Sequence, residues 1–282
     1  MRSAIFRCKT GIGKTAVNVF LTFYLVISVY PLIWMLMYSF KDNSEIFVTN
    51  PFGFPKTIRW ENYVRAWTEF DVVTFFLNSV FTTVITIIAT ILLSLMFSYA
   101  IARLEWKFSG FAKLYISIGL FVPVQIILLP LVILAKELHF ANTRLSLIIP
   151  YIAFELPVSS MIFYGFLRSI PNELEEAAAL DGANVYRTFF SIILPMVKPA
   201  IATVATFIFL FAWNEFTMAY IMISNNKLKT LPVGLLSFQG QFATDWGAMG
   251  AALVISSIPT ILVYVFFSEQ IEKSLTAGSA LK

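Results

Sequence analysis

The chain has 282 residues, 59% hydrophobic and 13% charged, with a mean hydropathy of +0.80, whereas soluble domains carry roughly 25% charge, so an ordinary water-soluble globular protein is excluded. The lone Cys8 and lone His139 supply neither an intrachain disulfide nor a conventional zinc site, which excludes a disulfide-stapled fold and a metallohydrolase. The net charge of +4 comes without a basic, aromatic-interleaved segment to track phosphates, so it argues for topology-setting loops and against nucleic acid as a partner.

What remains is an all-α, polytopic membrane helix bundle in contact with the lipid bilayer. At about 20 apolar residues per crossing, six spans use roughly 120 residues and leave no segment large enough for a soluble catalytic domain. Long apolar runs predict six transmembrane helices near 16–39, 73–102, 112–135, 145–167, 197–223 and 247–268. The first follows a basic head of Arg2, Arg7, Lys9 and Lys14. Its run is too long for a cleaved signal, so it reads as an uncleaved anchor. The basic head sets the N-terminus, and with it the C-terminus, on the cytoplasmic side. Gly11-Ile12-Gly13-Lys14-Thr15 resembles the end of a phosphate-binding loop, but the required earlier Gly is Cys8 and no buried strand precedes it. Any ATP used must therefore be bound by a partner.

The expected organisation is residues 1–72 as N-terminal head, anchor and external loop, 73–268 as the membrane domain, and 269–282 as a cytoplasmic tail. Pro51, Gly53, Pro55 and the run Trp60-Glu61-Asn62-Tyr63 make 40–72 an ordered loop rather than a flexible linker. In the second span Asn78, Thr82, Thr86, Thr90, Ser94, Ser98 and Ala102 recur every fourth residue. Four residues advance a helix by about 400°, so this track drifts slowly around it. A polar pore lining and a close helix seam both fit; the seam is favoured, because hydroxyls at helix contacts are common. Ala248, Ala252, Ser256 and Thr260 repeat the device in the last span.

Ionisable residues at membrane depth are costly and usually mark a cavity or a partner. Glu155 and Tyr151 fall in the fourth span, Trp213, Asn214 and Glu215 in the fifth, and Gln125 in the third, two residues after Pro123. Together they are candidates to line a path for a hydroxyl-rich solute, with aromatic faces and hydrogen-bonding side chains. The alternative is that they satisfy one another or broken backbone.

Residues 168–196 predict a helix, a sharp turn and a second helix. Pro171 stops the preceding span, and Asn172 is placed to cap a helix with Glu175 at its third position. Glu173, Glu175 and Glu176 favour the positive helix start, and Ala177, Ala178 and Ala179 propagate it. Gly182 is suited to the left-handed residue that ends it, Asn184 can cap the second helix, and Pro195 is expected to break that helix before the fifth span. A short helix with a narrow face of Leu174, Ala177, Ala178 and Asp181 is shaped to enter a groove on another protein.

Glu176-Ala177-Ala178, then Gly182, Ile192 and Leu194-Pro195 at their spacing resemble the EAA loop of ABC-importer permeases throughout. Asp181 before Gly182, Trp213-Asn214-Glu215-Phe216, Pro123-Val-Gln125, Asn62-Tyr63 and the closing Leu275-Thr276-Ala277-Gly278 are similar to the maltose-type carbohydrate subfamily. The resemblance implies a type I importer permease subunit that is not itself an enzyme. It implies a second, homologous permease subunit, two cytoplasmic ATPase subunits that hold ATP and Mg, and an extracytoplasmic sugar-binding protein. In such an assembly ATP binding closes the ATPase dimer, pushes the coupling helices together and rocks the pore from inward-open to outward-open. Glu176, Ala177, Ala178, Asp181 and Gly182 would be the ATPase-coupling positions, no residue would be catalytic and none a metal ligand, and the setting would be a bacterial or archaeal cytoplasmic membrane. Two other readings compete: an ion-coupled secondary transporter using Glu155 and Glu215, and an ABC importer of a non-sugar solute. The first leaves the 168–196 segment unexplained, and an intramembrane enzyme lacks a nucleophile–His pair.

Overall fold

A computed structural model describes the backbone of residues 11–240 and 244–279 and the side chains of 14–240 and 244–268. The basic residues ahead of Gly11 and the side chains of Leu275–Gly278 thus lie outside the described residues. The described chain is helical, with a single isolated bridge between Gln239 and Thr244. Lys14–Tyr38, Val72–Arg103, Leu145–Ser169 and Trp246–Ser268 are each long and apolar enough to cross a membrane. Two bent helix pairs bring the spans to six if each pair counts as one.

The chain divides into two compact units. The first joins the described part of Met1–Phe70 to that of Ser237–Ile255. It contains α1 (Gly11–Tyr38), α2 (Glu61–Thr68) and the start of a helix running Trp246–Ser279. Along α1, Val17, Phe20, Tyr24 and Leu25 are exposed on several faces, as suits a helix solvated by lipid. The 40–72 loop is ordered by buried polar groups. Lys41 is 1% exposed and its Nζ donates to the carbonyls of Asn50 and Gly53, both at 2.6 Å. The Asn62 amide donates to Ser39 O and Lys41 O at 2.9 Å, and Glu45 accepts from Asn50 Nδ2 at 3.0 Å and Lys56 N at 2.7 Å. Arg65 pairs with Asp245, just ahead of Trp246. A Cβ at Gly247 would lie 2.5 Å from Lys41 O; only glycine allows that approach.

The second unit holds Asp71–Leu236 and Ser256–Lys282. Its long members are α3 (Val72–Arg103), α6 (Leu145–Ser169) and α10 (Lys198–Asn214). The four-residue track of α3 is a packing seam: Asn78, Thr82, Thr86, Thr90, Ser94 and Ser98 are all buried. Ser98 Oγ reaches across to Ser160 O of α6 at 2.8 Å, and Ser94 Oγ donates to Thr90 O at 2.5 Å. The opposite face, with Leu77, Phe81, Val84, Ile88, Leu92 and Met96, is exposed. The helix is thus polar inward and apolar outward, the arrangement that close packing in lipid favours.

Two expected spans are not single helices. In place of 112–135, α4 (Ser109–Ile118) and α5 (Val124–Glu137) meet at 103°. Pro123 stands extended at the break, having no N–H to continue the ladder. The 197–223 span is also interrupted: α10 ends at Asn214, Glu215 is extended, and α11 (Thr217–Met222) resumes after it. Pro150 and Pro157, by contrast, leave α6 continuous, and the last expected span, 247–268, matches the apolar stretch Trp246–Ser268 of a helix that runs on to Ser279.

If the close approach at Gly247 holds the first unit together, Gly247→Ala lowers the melting temperature in detergent, consistent with an overpacking cost of about 1–3 kcal/mol. Gly110→Ala, where a Cβ meets nothing within 4 Å, leaves it unchanged or raises it, because alanine is the better helix former. Thermal melts of the two purified variants side by side check this.

Candidate functional site

The loop between α6 and α10 starts with α7 (Glu173–Leu180). At its end Gly182 adopts φ 75°, Ala183 N donates to Ala178 O at 2.9 Å and Gly182 N to Ala179 O at 3.0 Å. These paired bonds close the orphan carbonyls of the last turn around a left-handed residue, as expected for Gly182. Asn184 Oδ1 accepts from Arg187 N at 2.9 Å and caps α8 (Val185–Thr188). Beyond it a π-helical turn, Phe189–Ile193, leads into α9 (Leu194–Met196). The expected break at Pro195 falls instead at Val197, where the chain bends by 70° into α10. Pro195 sits in the first turn of α9, where its missing N–H costs little.

The predicted capping box does not form. Asn172 is itself helical and its side chain caps nothing; its Oδ1 accepts from Arg103 Nη1. Glu175 likewise turns to Arg103, with Oε1 3.0 Å from Nε, and its Oε2 accepts from Tyr99 OH at 3.3 Å. Arg103, the last residue of α3, has a side chain only 4% exposed. Its Nη2 donates to Leu167 O in the last turn of α6 at 2.5 Å and to Ile170 O, the residue that caps that helix, at 2.6 Å. One guanidinium therefore gathers the ends of α3 and α6 and the start of α7. Its fork of donors suits two orphan carbonyls, and its charge suits the negative end of the α6 dipole.

With α7 held this way, Ala178 turns inward at 6% exposure, so the expected docking face loses that residue to the chain's own packing. Glu176, Ala177, Asp181 and Gly182 remain exposed. Beside them lie Leu180, 90% exposed, and Tyr186, 77% exposed, apolar side chains that sequence reasoning did not single out. Arg103 and Tyr99 were also missed. The one available signal was an Arg ending a long apolar helix, and the partners of these two residues are 64 to 76 residues away.

The six candidates at membrane depth separate by environment. Tyr151 is fully buried and donates to Glu215 Oε2 at 2.7 Å. Glu215 also accepts from Met218 N at 2.7 Å and Ala219 N at 3.0 Å, so it caps α11 from the break that precedes it. Trp213, 4% exposed, stacks on Phe209 at 5.5 Å and donates to Ser256 O at 3.1 Å. Tyr151 and Glu215 thus satisfy each other and the broken backbone, and Trp213 is engaged by the last helix. Asn214 and Gln125 are exposed, and Asn214 Nδ2 donates to Leu210 O at 2.8 Å. Glu155, one turn beyond Tyr151, is buried with no hydrogen-bond or ion-pair partner among the described residues.

This bundle of seamed and broken spans, with a short helix and a glycine turn at one end, is that of a multi-pass membrane protein. The chain belongs to the family of binding-protein-dependent transport system inner membrane components, whose model matches residues 94–277. It is 37% identical over 273 residues to the probable ABC transporter permease protein YurM of Bacillus subtilis, covering 97% of this chain and 90% of that one. It is 36% identical over 261 residues to the diacetylchitobiose uptake system permease protein NgcG of Streptomyces coelicolor, covering 92% and 86%. Its fold matches a chain of a bacterial ABC transporter involved in the import of the acidic polysaccharide alginate, with a TM-score of 0.83, 20% identity and coverage of 95% and 99%. The protein is thus a multi-pass transport subunit and not an enzyme, and the ion-coupled secondary transporter is set aside.

Removing the cap at the break tests the roles assigned there. Glu215→Ala frees two backbone donors and the Tyr151 hydroxyl, a loss of about 1–3 kcal/mol. Tyr151→Phe removes one hydrogen bond and costs about 1 kcal/mol. In melts of the purified protein the first variant falls further than the second, and Asn214→Ala stays near the parent.

Proposed function

We propose that this chain is one permease subunit of an ATP-driven importer of a sugar or oligosaccharide. It pairs with a second, homologous permease, two cytoplasmic ATPase subunits and an extracytoplasmic sugar-binding protein, and its partners hold the ATP and Mg. It lies in the cytoplasmic membrane of a bacterium or archaeon with both termini on the cytoplasmic side, where the 168–196 loop meets the ATPase. The observation that carries the reading is the exposed α7 and its Gly182 turn, clamped to the bundle by Arg103. An exposed helix with a narrow face offers a partner a ridge to grip, and the clamp prevents the ridge from moving alone. The diacetylchitobiose permease among the relatives supports a saccharide. Asn214, Gln125 and Glu155 are the polar side chains left available to a solute, because Tyr151, Trp213 and Glu215 are engaged elsewhere.

Gly182 separates docking from folding. A Cβ there meets nothing within 4 Å among the described residues, so added bulk is felt chiefly by a partner, apart from the strain of a left-handed backbone. Asparagine tolerates that backbone better than other residues. Gly182→Asn therefore folds and melts like the parent, while Gly182→Val adds about 1–2 kcal/mol of strain. In the assembled complex in nanodiscs, both variants lower ATP hydrolysis stimulated by the sugar-loaded binding protein. Unchanged stimulation in both would remove the docking role.

A further inference from the structure

We propose that Arg103 is a positioning residue that makes α7, α3 and α6 move as one body, so that displacement of α7 reaches the opposite end of the bundle along α3. The inference rests on the importer reading above, but on different residues.

The near end of this strut is the clamp. Arg103 leaves α3 and holds two carbonyls of α6, the Asn172 side chain and the Glu175 carboxylate. Tyr99, one turn earlier on α3, reaches the same carboxylate and packs its ring edge-on against Phe189 at 5.0 Å. α7 is therefore attached to the bundle through α3 as well as through the short chain link from α6.

The far end of α3 is also pinned. Asn78 Nδ2 donates to Lys227 O at 2.8 Å and Lys229 O at 3.1 Å, and its Oδ1 accepts from Arg144 Nη2 at 3.1 Å. Ser79 Oγ accepts from Leu231 N at 2.7 Å. A Cβ at Gly234 would run into the Phe75 ring. The 226–234 segment thus rides on the start of α3 just as α7 rides on its end. Asn78 and Arg103 stand 25 residues apart, about 38 Å along a helix. No proline or glycine interrupts α3, and the Ser98 bond to Ser160 keeps its middle against α6. A push on α7 has a stiff path to the 226–234 segment.

A lysine at 103 keeps the charge but cannot span two carbonyls, an amide and a carboxylate at once. Glu175→Gln keeps the shape and removes the ion pair. Both are tested in the complex with its ATPase subunits and permease partner, reconstituted in nanodiscs. The measurements are the melting temperature, subunit stoichiometry, hydrolysis without binding protein, and hydrolysis with binding protein and sugar. A transmitting role leaves the stoichiometry and the unstimulated hydrolysis near the parent even where the melting temperature falls, and lowers the stimulation by about 10-fold in Arg103→Lys, within the usual range of coupling between sites. Glu175→Gln shows a smaller drop in the same direction. Parent-level stimulation in either well-folded variant overturns the proposal, and so does loss of ATPase subunits from the complex, which would make Arg103 only a shaper of the docking surface. If Arg103→Lys fails to fold, Glu175→Gln decides alone. An unsubstituted complex that no saccharide stimulates would overturn the importer reading itself, an outcome visible before any variant is compared.

Discussion

Hydrocarbon offers no hydrogen bonds, so every polar group carried into a bilayer must find its partner within the protein. At the end of the bundle the Arg103 clamp meets the same need in the protein's own interior. A guanidinium with a 4% exposed side chain, the last carbonyls of α6 and a carboxylate from α7 come together and largely satisfy one another. Taking away the cation would strand two carbonyls and a negative charge, and breaking a buried charge pair typically costs about 3–5 kcal/mol. The position of α7, and hence what a partner can touch, follows from that one side chain.

The same constraint explains the seam between α3 and α6. Lipid tails are as apolar as leucine, so apolar burial alone does little to hold two spans together. Small hydroxyl residues let the backbones approach, and the leucines, isoleucines and phenylalanines of α3 are left to face outward. The hydroxyl track is thus the seam that holds α3 to α6, as its spacing suggested. The break at Glu215 obeys the rule as well. Once the helix stops at Asn214, the carboxylate supplies acceptors for the next helix start, and Tyr151 completes its coordination.

Within this frame the acidic residues fall into distinct kinds. Glu175 and Glu215 hold the structure, Glu176 and Asp181 are presented outward from the loop, and Glu155 stands buried without a partner among the described residues. Their positions in the sequence do not separate them. Glu175 and Glu176 are neighbours, yet one faces the bundle and the other is exposed, because successive helix residues point about 100° apart.

Much was legible in advance because it depends on local chemistry or on the solvent. Apolar run length located α1, α3, α6 and the last helix, and the Gly182 turn and the Asn184 cap followed from residues a few positions apart. The spacing of Glu176, Ala177, Ala178, Gly182 and Pro195 pointed to the family. The misread parts all depended on distant partners. Asn172 and Glu175 could have formed a capping box, but the unpaired Arg103 was the stronger competitor for both. Pro123 broke its span while Pro150 and Pro157 did not, which shows that the surroundings of a proline decide whether it interrupts a helix. The sequence by itself determined the solvent, the helices and the family, because each is written in composition or in contacts along a few turns. Only the tertiary structure decided which polar residues are spent on holding the bundle and which stay outside those networks, because that depends on groups 60 or more residues apart meeting where water cannot substitute for them.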